Sequence, residues 1–153
     1  MDHLSLSLFG HFQISLNQKE LLGCNSEKGQ LLLAYLILEN QHAHSRKNLA
    51  RLFWPNTPAR SAQNSLRQTL YRLKAAFIDD AAFEQFVISN RQSIGFGETS
   101  SHWVDAKEFQ YLLGQRKTGN IDFEEKIQIY ERMARLYRGE FLSRATVDDS
   151  AEL

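Results

Sequence analysis

The sequence predicts an α+β fold: a small antiparallel sheet at the amino end, three helices, a β-hairpin and a final pair of helices. Three observations lead to this order. Apolar and polar residues alternate near the amino end and again near residue 90, and apolar residues recur at helical spacing in between. Two amphipathic segments follow, and each begins with an acidic residue. A length of 153 residues suits one domain, or one domain with part of another.

The amino-terminal strands come from residues 4–16, where apolar side chains alternate with polar ones and Gly10 provides a break. A third short strand is expected around Leu21 and Leu22, after a turn at Asn17–Gln18. Together these strands form the small antiparallel sheet.

Two helices are predicted next. Ser26 opens a helix that includes the apolar run Gln30–Asn40, because that run is long and rich in Leu and Ala. Ser45 caps a second helix, RKNLARLFW, which should end at Trp54 because a residue before proline disfavours the helical conformation. Three apolar residues form the inward stripe of this second helix: Leu49, Leu52 and Phe53.

The longest helix is predicted over residues 58–77, with Thr57 as its cap and Pro58 in its first turn. Its apolar stripe recurs at steps of four, three and four: Leu66, Leu70, Leu73 and Phe77. The opposite side carries hydroxyl, amide, phenol and guanidinium groups and no carboxylate. Such groups donate to base edges and phosphates without repelling phosphate charge. Alone, this pattern fits a core helix with a solvated basic face equally well.

The charges of the chain are segregated, although the formal net charge at pH 7 is zero. Residues 41–78 contain seven Lys or Arg and no Asp or Glu, whereas residues 98–153 contain eleven acids and eight bases. A basic middle and a mildly acidic tail indicate a polyanionic partner for the middle and a different partner for the tail.

A β-hairpin is predicted after a polar connection over residues 79–84. Apolar residues alternate along FVISNRQSIGF on both sides of a basic bend at residues 90–92. Phe86 and Ile88 are in phase on one arm, and Ile94 and Phe96 are in phase on the other. The order of sheet, three helices and hairpin is that of a winged helix-turn-helix.

Two helices are predicted in the last third. Asp105 with Glu108, and Asp122 with Glu125, have the spacing of capping boxes. Four residues form the expected inward stripe of the second of these helices: Ile127, Tyr130, Ala134 and Tyr137. A helical pair of this size resembles one unit of a TPR-like repeat, which cannot bury its stripe alone.

No pattern typical of an enzyme is present: the sequence lacks G-x-S-x-G, a P-loop, G-x-G-x-x-G and H-E-x-x-H. Cys24 is the only cysteine, and the His42/His44 pair has no third ligand nearby in the sequence. The start of the chain does not resemble a signal peptide, and no apolar run is long enough for a membrane span. We therefore expect a cytoplasmic protein that is not an enzyme, needs no cofactor or metal and binds no membrane.

Six segments spread over nearly the whole chain carry a resemblance to a known family: LSLFGHFQISLNQKEL, SRKNLARLFWP, NSLRQTLYRLKAAF, ISNRQSIGF, HWVDAKEF and LYRGEFL. Together they resemble the amino-terminal part of SARP-type bacterial transcriptional activators, in which an OmpR-like winged helix precedes a bacterial transcriptional activation domain. The resemblance implies a winged-helix DNA-binding domain over residues 1–99 and the truncated start of an activation domain over residues 103–153. In the family this second domain continues through further helices, so the chain is expected to be part of a longer regulator.

The function that follows is sequence-specific binding to double-stranded promoter DNA for transcription regulation, with the recognition helix 58–77 in the major groove and the wing 86–96 on the backbone. Nine residues are the expected DNA contacts: Arg46, Arg60, Asn64, Arg67, Gln68, Tyr71, Arg72, Lys74 and Arg91. The resemblance also points to RNA polymerase as a partner of the activation domain and is compatible with a homodimer on DNA. The competing interpretation is a protein-interaction module that uses the helical tail, with the basic patch incidental.

Overall fold

The computed structural model describes residues 2–24, 26–77, 79–97, 101–115 and 122–139. Its α+β class is as predicted. The elements, in chain order, are β1 (His3–Ser7), β2 (Gln13–Leu16), β3 (Lys19–Glu20), α1 (Glu27–Leu38), β4 (His44–Ser45), α2 (Arg46–Phe53), α3 (Ala59–Ala76), α4 (Asp80–Phe86), β5 (Val87–Ser89), β6 (Ser93–Phe96), β7 (Ser101–Val104), α5 (Asp105–Gln115) and α6 (Phe123–Leu136).

These elements form two compact units. The first contains residues 3–20 and the described residues from 101 onward, and the second contains residues 21–97. The domain boundaries predicted from the sequence, 1–99 and 103–153, stay predictions.

The first unit is built on a four-stranded sheet in the order β3-β2-β1-β7. β1 and β2 are antiparallel, and a two-residue turn joins β2 to β3. Asn17 and Gln18 both have positive φ, 53° and 70°, as a type I′ turn requires. This tight turn brings Lys19 opposite Leu16, so the third strand lies at Lys19–Glu20 and not at Leu21–Leu22.

The strand β7 was not predicted, because the segment SHWV is short and has no apolar alternation. It pairs in parallel with β1, with Leu4 opposite His102 and Leu6 opposite Val104. The sheet predicted as purely antiparallel is therefore mixed.

Asp105 and Glu108 do not form the predicted capping box. Asp105 is only 1% exposed, and its carboxylate accepts the backbone N–H groups of Leu8 at 2.8 Å and Phe9 at 3.1 Å. These two N–H groups follow β1, and the same carboxylate accepts the N–H of Ala106 at 2.7 Å, so Asp105 ties the end of a strand to the start of α5. Asp122, in contrast, caps α6 as predicted by accepting the N–H of Glu125 at 2.8 Å.

Glu108 instead links β7, α5 and α6. Its carboxylate accepts the indole N–H of Trp103 at 2.7 Å. It also receives two hydrogen bonds from Arg132, from Nε at 2.9 Å and from Nη2 at 3.0 Å. A bidentate arginine–carboxylate pair fixes direction as well as distance, so it orients α6 about its own axis.

The inward stripe predicted for α6 is wrong. Ile127, Tyr130 and Tyr137 are 41%, 50% and 54% exposed, and Ala134 is exposed as well. The covered apolar residues each lie one position earlier than a member of the predicted stripe: Ile129, half-buried, and Met133 and Leu136, buried. One position is a rotation of about 100°. The helix carries two apolar stripes of similar period, and the bonds between Arg132 and Glu108 accompany the choice between them.

In the second unit, α1 is covered nearly all round, as predicted. Its buried residues are Gly29, Leu31, Leu32, Leu33, Ala34, Leu36 and Ile37. Ser26 caps α1 by accepting the N–H of Gly29, and Ser45 caps α2 by accepting the N–H of Asn48. In α2, Leu49 and Phe53 are buried and Leu52 is half-buried.

The apolar stripe of α3 is confirmed, since Leu66, Leu70, Leu73 and Phe77 are all buried. The predicted start of this helix is wrong in detail. Pro58 occupies the cap position and no side chain caps the first turn. The N–H of Thr57 donates to the carbonyl of Trp54, so Thr57 belongs to the turn that follows α2.

Residues 79–84, predicted as a polar connection, fold largely into the short helix α4. Asp79 caps it by accepting the N–H of Ala82 at 2.7 Å, and Phe83 and Phe86 are buried on its inner side. Phe86 thus ends a helix instead of opening a strand. Ile88 is exposed beside buried Val87, so the predicted phase of this arm is also wrong.

The predicted hairpin is present as β5 and β6, which are antiparallel with Ile88 opposite Gly95. The two-residue strand β4 pairs with β6 and completes a three-stranded sheet in the order β4-β6-β5. Because α2 follows β4 directly, this pairing ties the start of α2 to the hairpin. No helix in the described part of the chain is long and apolar enough to cross a membrane.

Replacing Glu108 by glutamine should weaken the acid dependence of stability. The hydrogen bonds from Arg132 hold the pKa of Glu108 below its ordinary value. A carboxylate whose pKa is lowered on folding stabilises the fold above its unfolded pKa of about 4.3, and that contribution is lost as the pH falls through the lower folded pKa. We expect Glu108→Gln to lower the melting temperature at pH 7, with the difference from the wild type shrinking as the pH approaches 2.

The matched control is Glu131→Gln, which removes an exposed carboxylate from α6 and should change the melting temperature little at any pH. A destabilisation by Glu108→Gln that is equal at pH 7 and at pH 2 would show that the charge of Glu108 is not what matters.

Candidate nucleic-acid interface

α3 buries one side and presents a polar side to solvent. The buried residues are Ala62, Leu66, Thr69, Leu70 and Leu73. Six exposed residues, here called the α3 face, lie on the polar side: Arg60, Asn64, Arg67, Gln68, Tyr71 and Arg72. Side chains three and four positions apart are neighbours on a helix, so these six form a continuous surface. Tyr71 is 73% exposed, which is high for so large a side chain.

The α3 face contains donors and no carboxylate. Arg67 and Asn64 are already paired, since Nη2 of Arg67 donates to Oδ1 of Asn64 at 3.0 Å. Residues 41–78 include no Asp or Glu, so no acid of this segment opposes an approaching anion. The face can donate hydrogen bonds and attract negative charge at the same time.

Lys74 differs from the other predicted contacts, because α4 brings two acids to it. Its Nζ lies 2.9 Å from Glu84 and 3.7 Å from Asp80. The hydrogen bond that Lys74 donates to Glu84 is the main reason that the pKa of Lys74 is raised. The part of the α3 surface that has no carboxylate close to it therefore ends before Lys74. The sequence did not reveal this, because residues 79–84 were taken for a connection rather than a helix.

Arg46 supports the hairpin. Its Nε donates to the carbonyl of Asn90 at 2.7 Å, and its backbone N–H donates to the carbonyl of Gln92 at 2.9 Å. Its side chain is half-buried. The structure therefore brings the start of α2 and the bend of the hairpin together, a pairing across 44 residues that periodicity could not predict.

Arg91 is exposed at the bend, and Asn90 holds that bend in shape. The side-chain oxygen of Asn90 accepts the backbone N–H groups of Gln92 and Ser93, each at 2.8 Å. The N–H of Asn90 donates to the carbonyl of Ser93 at 2.9 Å, which closes the turn. An Asx-type turn of this kind holds Arg91 at the tip between β5 and β6.

Lys47 and Arg51 were not among the predicted contacts, although both are exposed on α2. Their spacing of four, on the side away from Leu49, is the signal that could have identified them. They line a cleft of about 480 Å³ between α2 and α3, together with Trp54 and Gln63. Basic groups thus lie on both helices of this pair.

The described residues contain no group of three His, Cys, Asp or Glu that could hold a metal ion. The rings of His42 and His44 lie 4.6 Å apart, and each bonds to a backbone carbonyl. Cys24 is buried, and burial raises the pKa of its thiol to about 11. A thiol with so high a pKa is protonated and unreactive at neutral pH.

Neither a protein-family model nor a curated protein matches the sequence. Among solved structures, the fold is similar to that of Mycobacterium tuberculosis EmbR in complex with a low-affinity phosphopeptide, with a TM-score of 0.67 and 17% sequence identity. The match covers 94% of this chain but only 38% of the EmbR chain. At this identity the likeness concerns the fold alone.

Replacing Asn90 by alanine should loosen the hairpin bend. The amides of Gln92 and Ser93 lose their acceptor, so their hydrogen exchange should speed up relative to the wild type. Gln92→Ala is the control, because it shortens a neighbouring exposed side chain and leaves the acceptor in place. Unchanged exchange of both amides in Asn90→Ala would mean that the Asn90 side chain does not hold the bend.

Proposed function

We propose that residues 21–97 act as a winged helix-turn-helix that binds double-stranded promoter DNA with sequence specificity and regulates transcription. The observation that carries this proposal is the α3 face, which presents exposed amide, phenol and guanidinium groups on one helix. It lies within a segment that has seven basic residues and no acidic residue. A face of donors without carboxylates is suited to the edges of bases and to phosphates together.

The dimensions of α3 support a position in the major groove. Its 18 residues make a rod about 27 Å long, and the groove, about 12 Å wide, admits an α-helix. In this position Asn64, Gln68 and Tyr71, near the middle of the α3 face, point toward base edges. Arg60 and Arg72, nearer the ends, point toward the phosphates on either side.

The β5–β6 hairpin acts as the wing in this proposal, and Arg91 at its tip contacts the DNA backbone. Arg46 has a different role from the one expected, because its Nε already holds the carbonyl of Asn90. Arg46 therefore positions the wing. Lys47 and Arg51 of α2 take over the phosphate contacts on that side.

The acids of α4 set a limit to the contact surface. Asp80 and Glu84 lie beside Lys74, well within the distance of about 8 Å over which charges act at physiological salt. They would repel phosphates near the carboxyl end of α3. The DNA therefore lies along residues 59–72 of this helix, and Lys74 is excluded from the interface.

The likeness to EmbR and the sequence resemblance support a bacterial regulator of the SARP type. In such a regulator α5 and α6 begin a TPR-like activation domain, whose partner is RNA polymerase, and two copies bind neighbouring half-sites. Because this chain spans only 38% of the EmbR chain, the activity of a whole regulator is part of the proposal and not of the fold likeness.

A second candidate function is supported by α6. Ile127, Tyr130 and Tyr137 are exposed along one side of this helix and form a stripe suited to another protein surface. If this stripe alone carries the function, the chain is a protein-interaction module and the basic surface of α3 is incidental.

Salt dependence tests the main proposal. Each phosphate contact that releases a counterion lowers the logarithm of the affinity by about 0.9 per tenfold increase in salt. We expect Arg91→Ala to weaken binding to all duplexes about equally and to reduce this slope by about 0.9, as measured by fluorescence anisotropy from 50 to 200 mM salt.

Lys126→Ala is the matched control, since Lys126 is an exposed base on α6 and should leave the slope unchanged. An affinity that barely responds to salt would contradict the proposal. A change in the preferred sequence on replacing Arg91 would instead show that the wing reads bases.

A further inference from the structure

We infer that Asn64 is a positioning residue that holds Arg67 to read a guanine, while Gln68 reads a neighbouring adenine. This inference rests on the proposed function and deepens it, because it assigns the bases that the α3 face selects. It departs from the simplest reading of the sequence, in which Asn64 and Gln68 are equivalent amides one turn apart.

The starting observation is the hydrogen bond from Nη2 of Arg67 to Oδ1 of Asn64, at 3.0 Å. Both residues are exposed and lie three positions apart on α3, where side chains are neighbours. An arginine side chain has four rotatable bonds and many rotamers in solvent. A bond to a shorter side chain fixes the plane of the guanidinium group before any DNA arrives, so less freedom is lost on binding.

The bond also changes what Asn64 offers to a base. A bidentate contact to adenine needs an acceptor for the N6 amino group and a donor for N7, supplied by the two ends of one amide. Here the oxygen of Asn64 is directed at Arg67. The oxygen of Asn64 keeps one of its two lone pairs, and the other groups at the edge of the pair are donors: Nδ2 of Asn64 and the remaining N–H groups of Arg67.

An edge made mainly of donors selects among the four bases. Guanine presents two acceptors in the major groove, N7 and O6, whereas adenine and cytosine each present an amino donor there and thymine presents a single acceptor, O4, beside its methyl group. The donors of the Asn64–Arg67 pair therefore match the two acceptors of guanine, oppose the amino groups of adenine and cytosine, and find only one acceptor on thymine. The chemistry of the pair indicates a guanine.

Gln68 is placed differently. It is exposed one turn after Asn64, and within the part of the chain that the structure describes its side chain makes no hydrogen bond. Its amide keeps both a donor and an acceptor, which is the combination that adenine requires. The α3 face thus combines one guanine reader and one adenine reader on adjacent turns.

Selection of binding sites from random duplexes tests this assignment. The wild type should enrich a guanine and a nearby adenine. Arg67→Ala should abolish the guanine preference, and Asn64→Ala should reduce it about tenfold or more while leaving the adenine preference intact. Gln68→Ala should do the reverse. Gln128→Ala, which removes an exposed amide from α6, is the control and should change neither preference.

Asn64→Asp separates positioning from direct reading. Aspartate keeps an acceptor for Arg67, so the guanine preference should persist. Its negative charge faces the DNA, so the affinity for all sequences should fall. Thermal melts of all these surface variants should match the wild type. A change in base preference or affinity then cannot come from a loss of stability, which is what a merely structural role for Asn64 would predict.

The outcomes distinguish a failure of this inference from a failure of the proposed function on which it rests. If the wild type binds no duplex or enriches no site, the proposed function fails and the inference fails with it. If the wild type enriches a site and Asn64→Ala keeps its full guanine preference, the function stands and the positioning role is wrong. A loss of adenine rather than guanine preference in Asn64→Ala would show that Asn64 reads a base itself.

Discussion

The burial of the α3 stripe is the constraint on which the candidate interface depends. Leu66, Leu70 and Leu73 are all covered, and a helix with one continuous apolar stripe can rotate little without exposing it. This rotation decides which side chains face solvent. With the stripe inside, Asn64 and Gln68 are exposed, so the same packing that stabilises the unit also sets the polar surface.

Local bonds then divide the basic residues by role. Lys74 is occupied by the acids of α4, Arg46 supports the bend at Asn90, and Arg67 is held by Asn64. Arg60 and Arg72 are the basic residues of α3 that pair with no side chain in the described part of the chain. A count of positive charges would treat all of these residues alike. Their partners separate the basic residues that are free to meet a ligand from Arg46, which supports the bend, and from Lys74, which is paired with acids.

The sequence predicted what periodicity and local capping control. The α3 stripe, the Ser26 and Ser45 caps and the hairpin follow from such patterns, and all are present. The α6 stripe was wrong because that helix carries two stripes of similar period, and the choice between them depends on non-local contacts such as the bond between Arg132 and Glu108. The role of Asp105 was missed for the same reason, since its partners Leu8 and Phe9 are 97 and 96 residues away. The pairing of Lys74 was missed because the helix that carries Glu84 was not predicted.

The most direct test of this account is the set of backbone amide shifts of the labelled protein during titration with duplex DNA at low salt. We expect the largest changes in amide chemical shift at residues 59–72 and 90–92, and small changes at Asp80, at Glu84 and along α6. Changes concentrated along the exposed side of α6, or the absence of any change along α3, would contradict the claim that α3 carries the nucleic-acid interface.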